Sequence, residues 1–324
     1  MKAGGAAARR LPEQGVRMRV FVSGASGFVG RHLVHHLLEA SPDVEVVGTT
    51  HRQPVTGGEP RLRLVACDLN RGGGEDLRRL IAGAAPDHVY HLAALSSGAA
   101  SDRDAVFGVN VQGTRRLMAA VAQEAPLARC LFASSGYVYG PCDGRQPARE
   151  GDALRPIGVY AESKREAEEY AREAGALVAR AFNHAGPGQS DAFVVSAFAR
   201  QIARIERATQ GPQIEVGNLD ARRDFLDVRD VVRAYHAVLS MGERAETYNV
   251  CKGEAHPLQA ILSALMALSS SPIAVSRDSK RMRPDDVAVS VGDPAKLVAC
   301  TGWAPRIALP QTLRETLDWW RTRS

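Results

Sequence analysis

The 324-residue sequence lacks any apolar run near the roughly 18 residues that a helix needs to span a bilayer, so we expect no membrane segment. It has only five cysteines, an odd number, and none of them form a C-x-x-C pair. This pattern predicts free thiols in a reducing cytoplasm, with no disulfide framework and no metal site. The cysteines are Cys67, Cys130, Cys142, Cys251 and Cys300.

Residues 1–17 lack the apolar segment of a secretory signal. They are small, basic and aperiodic, which predicts a disordered tail ahead of Met18. Their four cations outweigh Glu13 by three charges, out of the net +5 of the whole chain. The basic balance is therefore poor evidence for a nucleic-acid partner, and we expect none. The remaining chain is long enough to bury a sizeable core in one large domain or two closely coupled ones.

A glycine loop follows the first predicted strand. Met18–Ser23 is a short valine-rich run typical of a buried parallel strand, and residues 31–40 have the apolar period of a helix. Glycines between the two let the backbone turn tightly and approach a pyrophosphate, which would then lie at the helix N-terminus. We therefore predict a dinucleotide site. Its expected contacts are Gly24, Ser26, Gly27, Phe28, Val29 and Gly30.

The end of the second predicted strand, Val44–Gly48, bears on the choice of cofactor. A site selective for NAD usually carries a carboxylate here that holds the ribose 2′-hydroxyl. This sequence instead continues Gly-Thr-Thr-His-Arg, and Arg52 could pair with a 2′-phosphate. We predict NADP(H), with NAD(H) as the alternative cofactor and a solvated loop charge as the alternative role of Arg52.

Further cofactor contacts are expected at the ends of the next two predicted strands. Asp68 follows the strand 63–66 and could hold the adenine amine. Small alanines after the strand 86–90 would let the cofactor lie close above the sheet. His91, in the same segment, is expected to be structural. The predicted contacts are Asp68, Leu69, Leu92, Ala93 and Ala94.

Tyr160 and Lys164 are four residues apart, so on a helix they lie one turn apart on the same side. A phenol has a reference pKa of roughly 10. We expect the neighbouring ammonium to lower it, which would let Tyr160 exchange a proton near neutral pH. An ordinary surface helix is the alternative. Ser135 ends a predicted strand and could bond a substrate oxygen, or serve only as a turn residue. Asn110, flanked by valines, predicts a buried helix kink that also relays protons.

Together these motifs resemble the extended short-chain dehydrogenase/reductases from Met18 to the C-terminus. The resemblance implies that Ser135, Tyr160 and Lys164 form a catalytic triad and that Asn110 completes a proton relay. It also implies an α/β fold, a Rossmann-type doubly wound parallel sheet with a smaller C-terminal α/β substrate-binding lobe. The expected cofactor domain is 18–182 with 225–250 returning to it, and the expected lobe is 183–224 with 251–324.

The second half resembles the members of that family that act on GDP-linked 6-deoxy-hexuloses. The matching stretches are Ala181–Ser190 (AFNHAGPGQS), Val216–Leu219 (VGNL) and Arg223–Asp230 (RDFLDVRD). The resemblance implies reduction of the C4 ketone of a GDP-linked keto-sugar. Arginine binds phosphate through two parallel hydrogen bonds, so we predict that Arg223 and Arg283 hold the diphosphate. The alternative role of each arginine is a salt bridge between domains, which for Arg223 would be with Asp224 or Asp227. The candidate substrate contacts are Ser96, Asn183, Val216, Arg223 and Arg283.

Two other functions stay open. A 4,6-dehydratase or epimerase of the same family would use its cofactor without net redox change. Dehydratases resemble one another in having a carboxylate just after the catalytic Ser or Thr, whereas Ser135 is followed by Gly136 and Tyr137. Elimination needs such an acid and base, so it is disfavoured. A non-catalytic NADP-sensing protein would normally have lost Tyr160 or Lys164. The resemblance also implies a homodimer formed by helices near 106–123 and 160–173.

Overall fold

The computed structural model describes residues 17–51, 58–70, 74–96, 102–141, 146–281 and 287–323. Arg52, Arg283, Cys142 and the predicted tail up to residue 16 lie outside these ranges. The first half of the chain forms β1 (Met18–Ser23), α1 (Phe28–Ala40), β2 (Val44–Thr50), β3 (Leu62–Ala66), α2 (Glu75–Ala84), β4 (His88–His91), α3 (Arg103–Phe107), α4 (Gly113–Glu124), β5 (Arg129–Ser135), α5 (Val159–Glu173) and β6 (Leu177–Ala181). A π-helical turn, Gly108–Gln112, joins α3 to α4, and a 3-10 turn, Gly136–Tyr139, follows β5.

The second half consists of shorter elements. They are β7 (Asn183–Ala185), α6 (Val194–Glu206), β8 (Gln213–Val216), β9 (Arg222–Asp227), α7 (Val228–Met241), β10 (Thr247–Val250), β11 (Ala255–Pro257), α8 (Leu258–Met266), β12 (Ala274–Arg277), β13 (Val289–Ser290), α9 (Ala295–Thr301) and α10 (Leu309–Arg321). Before α6, the hydroxyl of Ser190 accepts the amide of Ala192 in a turn.

Seven described strands form the central sheet in the order β3-β2-β1-β4-β5-β6-β10, and all neighbours are parallel. The chain runs outward from β1 to β3 and then returns to β4 on the other side of β1. Val20 of β1 pairs with Val46 of β2 and with His88 of β4. The order reverses between β1 and β4, the place where doubly wound sheets bind ligands beyond the strand ends. The predicted Rossmann-type sheet is confirmed.

Helices cover both faces of this sheet, which is why its strands are apolar along most of their length. One core packs α1 and α7 against the sheet, through residues such as Leu33 and Tyr235. The other packs α2, α4 and α5 through residues such as Ile81 and Leu117. β10 returns from a distant part of the sequence and pairs with β6, as predicted for 247–250.

A smaller lobe is built from β9 with β7, β11 and β13, and from the parallel pair β8 and β12. β9 thus lies in this lobe, whereas β10 is a strand of the central sheet and α7 packs against that sheet. Around these strands α6, α8 and α10 enclose a third apolar core that includes Ile202 and Leu317. The domain limits given above stay a prediction.

The described helices include none with the length and apolar character needed to cross a membrane. The four described cysteines are free thiols.

Candidate active site

The glycine loop lies directly against the end of β4. Gly24 has a φ of +75°, and a Cβ built there would lie 2.9 Å from the backbone of Ala93. A Cβ on Gly30 would lie 2.2 Å from the carbonyl oxygen of Gly24. Gly27 precedes α1 as its N-terminal cap. Both close approaches require glycine, and they leave a cradle of backbone at a helix N-terminus, which fits a pyrophosphate.

The same loop contacts β2 and the smaller lobe. Ser26 donates its hydroxyl to Oγ1 of Thr50 at 3.0 Å. The ring of Phe28 stacks on His184, with ring centres 6.0 Å apart. Val29 packs against the core on the α1 side of the sheet. The loop predicted to hold the cofactor therefore touches the segment that opens the second lobe.

The residues predicted to contact the cofactor beyond the glycine loop lie at the ends of β3 and β4. Asp68 lines a cavity of about 430 Å³ at the end of β3 and accepts the amide of Asn70 at 2.8 Å. The side chain of Leu69 is buried in the core against Gly113, and its predicted contact with the cofactor stays a prediction. Its hydrophobic side chain fills the space beside the first residue of α4, Gly113, which has no side chain. Leu92, Ala93 and Ala94 are half-buried along the end of β4.

The side chain of Ser135 lies beside the phenol of Tyr160 and acts to lower its pKa. Ser135 also accepts the amide of Tyr137 at 3.2 Å, which holds its hydroxyl at the start of the 3-10 turn. Lys164, one turn along α5 from Tyr160, is 3% exposed, with its ammonium 4.4 Å from the centre of the Phe132 ring. The structure thus brings the three predicted catalytic side chains to the same edge of the sheet.

Burial dominates the proton affinity of both titratable groups. It raises the pKa of Tyr160 to about 12, although Ser135 acts in the opposite direction. Burial also lowers the pKa of Lys164 to about 7, while Glu168 acts to raise it. The expectation that Lys164 lowers the phenol pKa is therefore wrong for the protein without its cofactor. The phenol is fully protonated near neutral pH, the form that a proton donor requires.

Asn110 lies in the π-helical turn, 1% exposed, so the predicted buried kink is confirmed. Such turns are frequent at functional sites. Its amide oxygen accepts the amide of Leu95 at 2.8 Å, and its amide nitrogen donates to the Leu95 carbonyl and to the hydroxyl of Ser163. Ser163 in turn donates to the carbonyl of Tyr160 at 2.8 Å. Asn110 therefore ties the segment after β4 to the helix that carries Tyr160. Its part in a proton relay stays a prediction.

His91 is structural, as expected. Its ring nitrogens bond the hydroxyls of Ser23 at 2.6 Å and Thr114 at 2.9 Å. Burial and the nearby Lys164 lower its pKa to about 3. A neutral imidazole is therefore fixed beneath the strand ends.

The smaller lobe has a cavity of about 350 Å³, and Tyr137 of the 3-10 turn after β5 forms part of its lining. Three of the five predicted substrate contacts line it: Asn183, Val216 and Arg223. Asn183 donates to the hydroxyl of Tyr137 at 3.3 Å, which links this cavity to the turn that begins at Ser135. Ser96 is half-buried after β4 and is not part of this lining.

Arg223 is 4% exposed, and its guanidinium donates to the Ala288 carbonyl at 3.4 Å. The two carboxylates considered as its salt-bridge partners are held by other groups. Asp224 accepts the amides of Lys252 and Gly253, and Asp227 caps α7 and pairs with the side chain of Arg229 at 2.8 Å. Arg223 itself lines the cavity.

Several lining residues were missed by sequence reasoning. Among them are Tyr137, Gln189, Phe193, Lys280 and Arg281. Tyr137, two residues after Ser135, and Gln189, within the matching stretch Ala181–Ser190, carried a local signal. Lys280 and Arg281 precede Arg283 along the chain and add cations to the wall of the cavity.

The position after Ser135 is sterically restricted. A Cβ built on Gly136 would lie 2.9 Å from three carbons of the Phe182 ring. A carboxylate here would require that ring to move. The observed packing therefore strengthens the case against elimination chemistry.

Residues 20–251 match the family described as NAD dependent epimerase/dehydratase. The chain belongs to this family. That membership confirms the predicted resemblance, and the cofactor is a nicotinamide dinucleotide.

Known members of the family resemble this chain over most of its length. It is 35% identical over 314 residues to the GDP-6-deoxy-D-mannose reductase of Pseudomonas aeruginosa, covering 94% of this chain and 98% of the relative. The solved structure of RMD from P. aeruginosa complexed with NADPH has a TM-score of 0.82 at 35% identity, covering 95% and 100% of the two chains. The UDP-glucose 4-epimerase of Thermus thermophilus in complex with NAD also has a TM-score of 0.82, at 29% identity and 95% and 100% coverage.

Proposed function

We propose that this family member reduces the C4 ketone of a GDP-4-keto-6-deoxy-hexose with NADPH, converting GDP-4-keto-6-deoxy-D-mannose to GDP-D-rhamnose. The observation that carries the proposal is that Ser135 lies beside Tyr160 at the start of the 3-10 turn whose Tyr137 lines the cavity of the smaller lobe. The similarity to a GDP-6-deoxy-D-mannose reductase over nearly the whole chain supports the same substrate class.

The bound nicotinamide would supply hydride to C4. Ser135 donates a hydrogen bond to the carbonyl oxygen, and Tyr160 delivers its proton there as negative charge develops. The raised pKa of Tyr160 keeps the phenol protonated until that moment. Lys164, once charged, holds the nicotinamide ribose and stabilises the phenolate that remains.

The cations of the smaller lobe suit a nucleotide diphosphate. Arg223 offers a planar fork of donors, which matches phosphate oxygens better than a lysine would. Lys280 and Arg281 line the same wall, where Arg281 pairs with Glu215 at 3.1 Å. The cavity is within the usual size range of small-ligand sites, roughly 300–1,000 Å³. Asn183, which donates to the Tyr137 hydroxyl, would lie beside the phosphates or the sugar.

NADPH is proposed over NADH because Arg52 follows the β2 end, where a carboxylate is missing. A cytoplasmic homodimer, formed through α4 and α5, is the proposed state of the enzyme.

The test is an assay with freshly made GDP-4-keto-6-deoxy-D-mannose, following the loss of NADPH and the NMR spectrum of the product sugar. We expect equal consumption of NADPH and keto-sugar. In a parallel reaction GDP-mannose is supplied without NADPH. Formation of a keto-sugar there would favour the dehydratase instead, and interconversion of two sugars without NADPH loss would favour an epimerase.

A further inference from the structure

Glu168 lies on the same side of α5 as Tyr160 and Lys164, one turn beyond the lysine. It is 0% exposed, whereas the next residue, Glu169, lies on the surface and pairs with Arg165. A carboxylate buried without partners would be costly. Nothing in the proposed reaction requires a carboxylate at this place, so its burial calls for a physical reason.

Arg180 of β6 supplies that partner. It is 3% exposed and donates to both carboxylate oxygens of Glu168, with Nη2 to Oε2 at 2.7 Å and Nε to Oε1 at 3.0 Å. Ser134 donates its hydroxyl to the same carboxylate. Arg180 also donates to the hydroxyl of Tyr139 at 3.0 Å and to the Glu150 carbonyl at 3.1 Å.

These contacts join the two elements that must act together. Ser134 directly precedes Ser135 in β5, and Tyr139 ends the 3-10 turn whose Tyr137 lines the cavity. Glu168 belongs to the helix of Tyr160 and Lys164. The ion pair therefore fastens the helix with the proton donor to the strand end with the serine. Neither Glu168 nor Arg180 lines the cavity.

The pair also acts on charge. Burial pushes the pKa of Lys164 down to about 7, and Glu168 opposes that shift. The other groups that face Lys164 are Tyr160 on its own helix, a neutral His91 from β4 and the Phe132 ring from β5. Behind Glu168 stands the positive Arg180 of β6. Among these groups Glu168 supplies the negative charge that favours an ammonium.

We propose that Glu168, held by Arg180, is a positioning residue for Lys164: its buried carboxylate, one turn along α5, stabilises the ammonium of the lysine and fixes α5 against the strand end of Ser135. The importance of a charged Lys164 rests on the proposed reductase function. A buried ion pair is often replaceable by apolar residues without loss of stability, so stability alone is a poor explanation for it.

The composition of the chain allows a direct test. Its sequence has only five lysines, Lys2, Lys164, Lys252, Lys280 and Lys296. Protein labelled with ¹³C at lysine Cε would give five NMR signals, and Lys164→Arg identifies the signal of interest. We expect Glu168→Gln to lower the titration midpoint of Lys164 by about one pH unit, a tenfold change in its proton affinity. Glu169→Gln, the matched exposed control, should leave the midpoint unchanged.

A midpoint for Lys164 that is the same in wild type and in folded Glu168→Gln would overturn the proposal. If Glu168→Gln does not fold, Glu168→Gln combined with Arg180→Gln removes both charges and leaves neither unpaired. This double variant should also lower the titration midpoint of Lys164. An unchanged midpoint would refute the proposed effect of Glu168 on Lys164.

An activity measurement separates this proposal from the proposed function. Relative to the wild type, kcat/KM of Glu168→Gln should fall roughly tenfold at about pH 8 but only about twofold at about pH 6, because the lowered midpoint removes charge from Lys164 mainly at the higher pH. A uniform loss at both pH values would indicate a purely structural role and overturn the charge effect. Absence of ketone reduction in the wild type would refute the reductase function, while the NMR midpoints would still decide the role of Glu168.

Discussion

The cofactor side and the substrate side of this molecule are built in different ways. The glycine cradle lies within seven consecutive residues and touches one strand end at Ala93. Tyr160 and Lys164 lie on one helix. The substrate cavity takes its side chains from separate elements, including the 3-10 turn, β7, α6, β8 and β9. A site made from neighbours in sequence can be recognised as a motif, whereas one assembled by tertiary packing cannot.

The physical cause lies in the two sheets. In the central sheet every strand is parallel, so the carboxyl ends of successive strands meet at one edge. In the smaller lobe β9 runs parallel to β7 and β13 but antiparallel to β11. No simple periodic rule places the residues of such strands in a common wall.

If proton donation and cofactor binding depend on different residues, Tyr160→Phe should lower turnover without changing the affinity for NADPH. We expect kcat to fall by about 10²–10⁴-fold, because the lost hydroxyl is the acid that meets the developing alkoxide. The Kd of NADPH, measured by fluorescence titration, should stay near that of the wild type. Tyr170→Phe, on the same helix, is the control, and turnover retained by Tyr160→Phe would remove Tyr160 from its role.

Damage to the glycine cradle should affect the cofactor side alone. In Gly30→Ala the new Cβ would lie 2.2 Å from a backbone oxygen, so the loop must shift. Such overpacking costs about 1–3 kcal/mol, which corresponds to roughly 5- to 150-fold weaker NADPH binding.

The matched control for this variant is Gly83→Ala in α2, where a Cβ would meet open space. It should bind NADPH normally. GDP binding, measured by calorimetry, should be unchanged in both variants. Equal NADPH affinity in Gly30→Ala and wild type would show that the cradle does not hold the cofactor.

The reverse effect is expected for Arg223→Lys. The charge is kept but the fork of donors is lost, so GDP should bind about tenfold more weakly while NADPH binds as before. The control is Arg222→Lys, its exposed neighbour in β9. A loss of NADPH affinity in Arg223→Lys, or no change in GDP affinity, would contradict the assignment of this arginine to the substrate side.

The smallest effect concerns the titration of Tyr160. Because burial raises its pKa to about 12, the phenol should stay protonated up to about pH 10 in the protein without cofactor. The difference in phenolate absorbance between wild type and Tyr160→Phe should be flat over that range. A step near neutral pH would restore the original expectation that Lys164 lowers this pKa.

Much of the fold could be predicted from the sequence because apolar runs and glycines mark the parallel strands. The bounds of β1 agree with the predicted ones. The helix predicted over 106–123 is instead divided by the π-helical turn at Asn110. That turn is set by the bonds of Asn110 to Leu95 and Ser163, which are distant in sequence.

The site could be predicted in its residue types but not in its energetics. Ser135, Tyr160 and Lys164 come together as expected, yet the predicted effect of Lys164 on the phenol was wrong. The reason is desolvation, which raises one pKa and lowers the other. How deeply a side chain is buried depends on every element that packs against it, and no four-residue spacing carries that information. The buried Glu168–Arg180 ion pair could not be predicted for the same reason.

The most direct test of hydride transfer from the nicotinamide to the sugar uses NADPH that carries deuterium at both C4 positions, together with GDP-4-keto-6-deoxy-D-mannose. NMR and mass spectrometry of the product then locate the label. The reductase account predicts one deuterium at C4 of the sugar for each NADPH consumed. A product without deuterium, or with deuterium at C5 or C6, would contradict it.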